Sequence, residues 1–267
     1  MDIVLPFFVF IFGLLIGSFL NVVIFRVEKN EHLGGRSYCP SCKKPLAWHD
    51  LVPVFSFLWL RGKCRNCKQK ISWQYPIIEI VTGLLFLLIF NFQFSIFNTL
   101  FLFYVAAVLI VIFVIDLKFY LIPDRVLLPA IVAAFFYRVL NFGNWDLFGN
   151  WSLVIGISPL AFNFILASVI GSSFFLMIFL VSKGVWMGFG DVKLAIFLGL
   201  LVGFPGILLA LFLAFLFGAI IGVIGMLAKK KGLKSELPFA PFLIIGTWVT
   251  LFFGEQIVNW YMHALTL

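Results

Sequence analysis

The sequence predicts an all-α polytopic membrane protein of about eight transmembrane helices, with a small cytoplasmic zinc-binding insertion. Three observations predict it. The 267-residue chain is 63% hydrophobic and only 11% charged, where a soluble domain carries about 25% charged residues; its mean hydropathy is +1.15. The apolar residues fall in long uninterrupted runs, which favour helices over a barrel. All four cysteines lie in one polar stretch, as two C-x-x-C pairs.

The runs, in order, are about 4–25, 77–94, 97–116, 125–142, 158–181, 191–203, 206–228 and 240–261. Most approach the roughly 20 residues that cross a bilayer. The sixth is short, and it can be divided differently from the seventh around Pro205. The first has the length of a signal peptide, but it begins Met1-Asp2, lacks a basic leading region, and is followed by no clean small-x-small site; it is expected to be a retained helix.

Charge tests the count. Residues 26–75 hold ten Lys/Arg. Placing them in the cytoplasm and alternating eight spans puts Lys118, Arg125, Lys183, Lys193, Lys229, Lys230, Lys231 and Lys234 on the same side. Only Arg138 falls outside, so 18 of 19 basic residues share one face, as the positive-inside rule requires. Both termini then lie outside. The formal charge of +8 is accounted for by loop lysines setting orientation on the lipid bilayer, with no nucleic acid expected as partner. There is no obvious internal repeat and no low-complexity segment.

The expected domains are a first transmembrane helix (1–25), a cytoplasmic module (26–75) and a seven-helix membrane domain (76–267). The module reads CPSC at 39–42 and CRNC at 64–67. Cys39, Cys42, Cys64 and Cys67 suit a tetrahedral Zn²⁺, two thiolates from each knuckle. Disulfides or a redox dithiol are the alternatives. A reducing cytoplasm disfavours the first, and no βαβ context supports the second. Four cysteines leave no open coordination position, so the metal is expected to be structural, supplying free energy that so small a core lacks. His32 and His49, in the same segment, are expected at the surface.

Asp191 opens the sixth run within GVWMGFGDVKLAIFLGLL, residues 184–201. A carboxylate near lipid is costly. It could cap its helix, where the dipole favours negative charge. However, Gly188 and Gly190 bracket Phe189 just before it, allowing a tight turn or a close approach that a cap does not need. Topology also supplies partners: Asp116 ends the third run and Asp124 begins the fourth, both at the same membrane edge. Like charges a few ångström apart do not both ionise easily. Two such aspartates therefore form one acid and one base, able to activate water and polarise a peptide carbonyl. The alternative is a proton- or ion-coupled transporter, which favours carboxylates nearer mid-membrane and broken helices in paired halves.

GSFLNVVIFR (17–26), the CPSC and CRNC pairs, LVPVFSFLWLRGKCRNC (51–67), ISWQYPIIEIVTG (71–83), IDLKFYLIPD (115–124) and GFGDVKLA (188–195) resemble, in order, the signatures of the type IV prepilin peptidases, also called leader peptidase/N-methyltransferases. The resemblance implies a membrane aspartic endopeptidase of the GxGD class. Such an enzyme removes the short basic leader of prepilin or pseudopilin substrates on the cytoplasmic side of the bacterial inner membrane. It also implies methylation of the new N-terminal residue with S-adenosylmethionine. On this resemblance Asp191 is the aspartate of the G-x-G-D motif and Asp116 its partner. Asp124 is a second candidate, with a helix-starting charge after Pro123 as the plain alternative. Lys193 either anchors the cytoplasmic edge or tunes the pair. Glu79 either holds a basic residue of the module or takes part in methyl transfer. Gly62 lies in the region that the family associates with methylation, or is a turn glycine. The resemblance alone carries the methyltransferase, since no G-x-G-x-x-G after a strand is present and no cofactor-binding residue is assigned.

Overall fold

The structure is a computed structural model and describes residues 4–92, 95–140, 161–227 and 237–265. Lys229, Lys230, Lys231 and Lys234, used above for orientation, lie outside the described residues. The helices are α1 (Val4–Glu28), α2 (Phe55–Trp59), α3 (Gln74–Asn91), α4 (Ile96–Phe119), α5 (Asp124–Leu140), α6 (Ala161–Ser182), α7 (Phe189–Val202), α8 (Gly206–Leu227) and α9 (Ala240–Leu265). With the five-residue α2 set aside, the eight apolar runs each become one helix, in order. Six of the helices are long and apolar enough to cross a membrane. The other two, α5 and α7, have 17 and 14 residues. Among the described residues the only β structure is two isolated bridges, Tyr38 to Pro45 and Lys63 to Lys70.

The chain forms two compact units, Met1–Val114 and Ile115–Leu267. In the first, α1 and α3 form an antiparallel pair whose register is set at three levels, four residues apart. Asn21 Nδ2 donates to the Tyr75 carbonyl at 3.1 Å. One turn along, a Cβ on Gly17 would lie 2.6 Å from Glu79 Cα, and a further turn along, one on Gly13 would lie 2.7 Å from Gly83 Cα. Small residues at four-residue spacing let membrane helices approach backbone to backbone. Phe86 of α3 stacks on Phe103 of α4, with ring centroids 4.1 Å apart, and Phe12 of α1 lies 6.0 Å from the Phe86 ring, so the packing extends from the pair to α4.

The polar segment is bound to this pair from both ends. Buried Arg26, in the last turn of α1, gathers the carbonyls of Leu33, Gly34, Gly35 and Arg36. Glu79, buried in α3, accepts the backbone N–H of Val54 at 2.7 Å. Val54 has φ 60°, an unusual conformation for a β-branched residue that costs about 1–3 kcal/mol. Glu79 therefore holds a strained backbone N–H at the start of α2, rather than a lysine or arginine of the module.

In the second unit the shortest long helix lies deepest. Nine residues of α7 are buried, Leu194, Phe197 and Leu198 among them, and α5, α6, α8 and α9 all touch it. A helix that is apolar on every side is a buried one. At 1.5 Å per residue α7 is about 21 Å long, against a hydrocarbon layer of about 30 Å. Its last carbonyls must therefore find partners within the protein. Arg138 of α5 supplies them: Nε donates to the Leu200 carbonyl at 2.8 Å, Nη2 to that of Leu201, and the guanidinium lies 3.6 Å from the Phe164 ring centroid. In the turn after α7, Asn163 of α6 exchanges two hydrogen bonds with the backbone of Phe204, at 3.1 and 2.9 Å. Arg138, which the sequence places on the outer face, is thus a buried clamp on α7.

Candidate active site and metal centre

The second unit brings Asp116 and Asp191 together. Asp116 sits in the last turn of α4, which ends as Tyr120 turns to φ 54°. The chain passes through Leu121, Ile122 and Pro123 into α5. Gly190, in the first turn of α7, lies against this connection: a Cβ there would be 3.1 Å from Ile122 Cβ. The absence of a side chain at 190 thus lets the start of α7 approach the end of α4. Asp191 follows, half-buried, near enough to Asp116 for the charge on one carboxyl to act on the other. Asp116 is buried, and its Oδ2 has no hydrogen-bond partner.

The residues around the pair separate by role. Lys193 forms an ion pair with Asp124, and its ammonium lies 5.5 Å from the Phe189 ring centroid. Asp124 is the first residue of α5 and half-exposed. Of the two motif glycines only Gly190 meets a close neighbour. Gly188, the residue before α7, has φ −77° and ψ 152°, and a Cβ there would meet nothing nearer than the Gly190 nitrogen at 3.9 Å. Neither turn geometry nor packing requires glycine at 188. The pairing of Lys193 with Asp124 had no sequence signal, because the two residues stand 69 positions apart in the chain.

In the first unit the four cysteines converge. Their Sγ atoms lie within 4.8 Å of one another, with Cys39 and Cys67 at 3.9 Å. Four thiolates about 2.3 Å from a central ion stand about 3.8 Å apart, so the cluster fits a tetrahedral metal. Two matching turns build it. The Cys39 N–H donates to the Lys44 carbonyl and the Lys43 N–H to that of Cys39, at 3.0 and 2.9 Å; Cys64, Gln69 and Lys68 repeat the pattern at 2.8 and 3.0 Å. Lys43 and Lys68 both have φ 59°. The knuckles are thus a local structural repeat within a sequence that showed no obvious one. The N–H groups of Cys67 and Asn66, aimed at its sulfur, draw the Cys64 thiol down to about 7, which favours the thiolate a metal needs. Gly62 has φ 65° and packs on the Phe57 ring, the turn position before the second knuckle.

Fold and site together define a polytopic helical membrane protein with a buried and a half-buried aspartate at the ends of two helices and a four-cysteine cluster on a polar insertion. Comparison with known proteins agrees in both parts of the chain. Residues 11–93 match the Bacterial Peptidase A24 N-terminal domain and residues 103–223 the Type IV leader peptidase family. The chain is 31% identical to the prepilin leader peptidase/N-methyltransferase of Aeromonas salmonicida (strain A449), over 96% of this chain and 94% of that protein. It is 32% identical to the protein of the same name from Bacillus subtilis (strain 168), over 95% and 96%, and 32% to that from Aeromonas hydrophila, over 95% and 92%. No solved structure matches the chain. The chain belongs to the type IV leader peptidase family.

Proposed function

We propose that this protein is a membrane aspartic endopeptidase that removes the leader of prepilin-like substrates, and a methyltransferase that modifies the N-terminus so exposed. The carrying observation is the Asp116–Asp191 pair, with one Asp116 oxygen buried and unpartnered. In this reading one carboxylate takes a proton from water as that water attacks the scissile carbonyl. The other, protonated, donates to the carbonyl oxygen, and a proton passes to the leaving amine as the C–N bond breaks. Lys193 and Asp124, paired with each other, brace the starts of α5 and α7. The transporter alternative gains no support from the family assignment.

The reading places the pair at the cytoplasmic edge of a bacterial inner membrane, with both termini outside. A substrate would keep its apolar helix in the bilayer and present its basic leader to the aspartates. Residues 26–75 form the metal module, in which Cys39, Cys42, Cys64 and Cys67 would hold a structural Zn²⁺ with no open position. N-methylation is supported by the names of the relatives, and S-adenosylmethionine is the methyl donor of this reading. The described residues contain no Gly-rich strand-to-helix turn of the dinucleotide-binding kind, and no residue is assigned to the methyl donor.

Incubation of the purified chain in lipid with a prepilin and S-adenosylmethionine, with the product N-terminus read by mass spectrometry, tests both activities. The expected product is shortened and carries one added methyl group. Cleavage without methylation would remove the second activity alone. Asp116→Asn and Asp191→Asn should each abolish cleavage in correctly inserted protein; cleavage retained in either would exclude the pair as the catalytic groups.

A further inference from the structure

We propose that α2 and its flanking loops lie on the bilayer surface, as an aromatic anchor held against anionic phospholipid headgroups, rather than projecting into water. Five large apolar side chains of the insertion are widely exposed: Trp59 84%, Trp48 81%, Phe55 73%, Trp73 68% and Leu58 62%. Contiguous exposed apolar surface marks a site of interaction. Phe55, Leu58 and Trp59 stand at i, i+3 and i+4, so they share one face of α2. Phe57 points the other way, buried, with its ring centroid 4.9 Å from that of Trp73.

The second observation is depth. Val54, just before α2, is bound through its N–H to Glu79, five residues into α3 and so about 7.5 Å along that helix from its start. The outward apolar face of α3 begins before this level, at Ile77, and continues through Ile80 and Val81, which are 54%, 39% and 46% exposed. Lipid therefore begins at or above the level where α2 starts. Trp73 precedes α3 at the same boundary, where tryptophan is favoured because its ring is apolar and its N–H polar.

The third observation is charge, which selects the occupant. Residues 26–75 carry ten Lys/Arg against three acidic residues, Glu28, Glu31 and Asp50. Arg26 is turned inward, Arg65 pairs with Asp50, and Lys29 and Lys43 lie over the rings of Phe25 and Tyr38; Arg36, Lys44, Arg61, Lys63, Lys68 and Lys70 remain for phosphates. Anionic headgroups attract such a segment. A second copy of this chain, or a basic leader, would be repelled by it.

The test uses the full chain in vesicles of phosphatidylcholine and phosphatidylglycerol with brominated acyl chains. The Trp59 emission is obtained as the difference between wild type and Trp59→Phe. Bromines near the glycerol backbone should quench it more than bromines near the chain end, and aqueous acrylamide should reach it poorly. Omitting phosphatidylglycerol should weaken the bromine quenching by about twofold or more. Full access to acrylamide with no bromine quenching would overturn the proposal. Protection from acrylamide without bromine quenching would also overturn it, since a protein would then cover the face. Quenching that ignores phosphatidylglycerol would overturn the headgroup assignment. Phe55→Ser with Trp59→Ser should expose the segment to faster amide exchange in vesicles while leaving its exchange in detergent unchanged; equal changes in both would mean the side chains serve folding alone.

Discussion

At the scale of single residues, Gly190 and Gly188 make the sharpest contrast. Both belong to one short motif, yet only Gly190 has a neighbour within ordinary contact range on the facing segment. Gly190→Val should force Ile122 and the end of α4 away from α7, costing about 1–3 kcal/mol and lowering cleavage by about tenfold or more. Gly188→Ala should leave cleavage within about twofold, because its backbone is ordinary and its Cβ finds open space. A prepilin cleavage assay on the two variants checks both. Asp124 gives a second contrast. Its carboxylate is half-exposed and paired with Lys193, an arrangement worth about 1 kcal/mol or less. Asp124→Asn should therefore reduce cleavage by about fivefold or less, while the same change at Asp116 or Asp191 removes it. The residue types and their order along the chain were enough to nominate Asp116 and Asp191 as candidates. The ion pair joining the starts of α5 and α7 depends on tertiary approach and leaves no trace in local sequence.

At the scale of elements, α7 shows what hydropathy can and cannot deliver. Its apolar run was visible, and so was its shortness. What was not visible is that it is surrounded by four other helices and that its far end is held by Arg138 and Asn163. Counting basic residues by side left Arg138 alone outside, and charge bias cannot show that an arginine on that side is turned onto buried carbonyls. Arg138→Met should leave the carbonyls of Leu200 and Leu201 unpaired, at about 1–3 kcal/mol for each. The expected result is a clear fall in the thermal midpoint in detergent, with Arg138→Lys intermediate. An unchanged midpoint would mean that the clamp contributes nothing. The α1–α3 pair was legible only as two spans; its four-residue ladder through Asn21, Gly17 and Gly13 needs a partner helix before the spacing acquires meaning. Gly17→Leu should separate the pair, read as loss of protease resistance in α1.

At the scale of the whole molecule, the fold class was readable because membrane spans announce themselves by length and polarity, and the four-cysteine cluster because two C-x-x-C pairs at that spacing suit one tetrahedral metal. Cys39→Ser should lower bound zinc, measured by elemental analysis of protein purified under reducing conditions, and should speed proteolysis within 26–75. Absence of zinc from the wild type would remove the module's assigned role. The limited length of α7 has one more consequence. A helix about 21 Å long that carries a proposed catalytic carboxylate at one end and a polar clamp at the other has little slack against the hydrocarbon layer spanned by the helices around it. Lipids with longer chains would draw one polar end or the other into oil. Turnover should therefore depend on membrane thickness, highest in short-chain bilayers and falling as the chains lengthen, with the enzyme acting as a gauge of the hydrocarbon layer that holds its substrate.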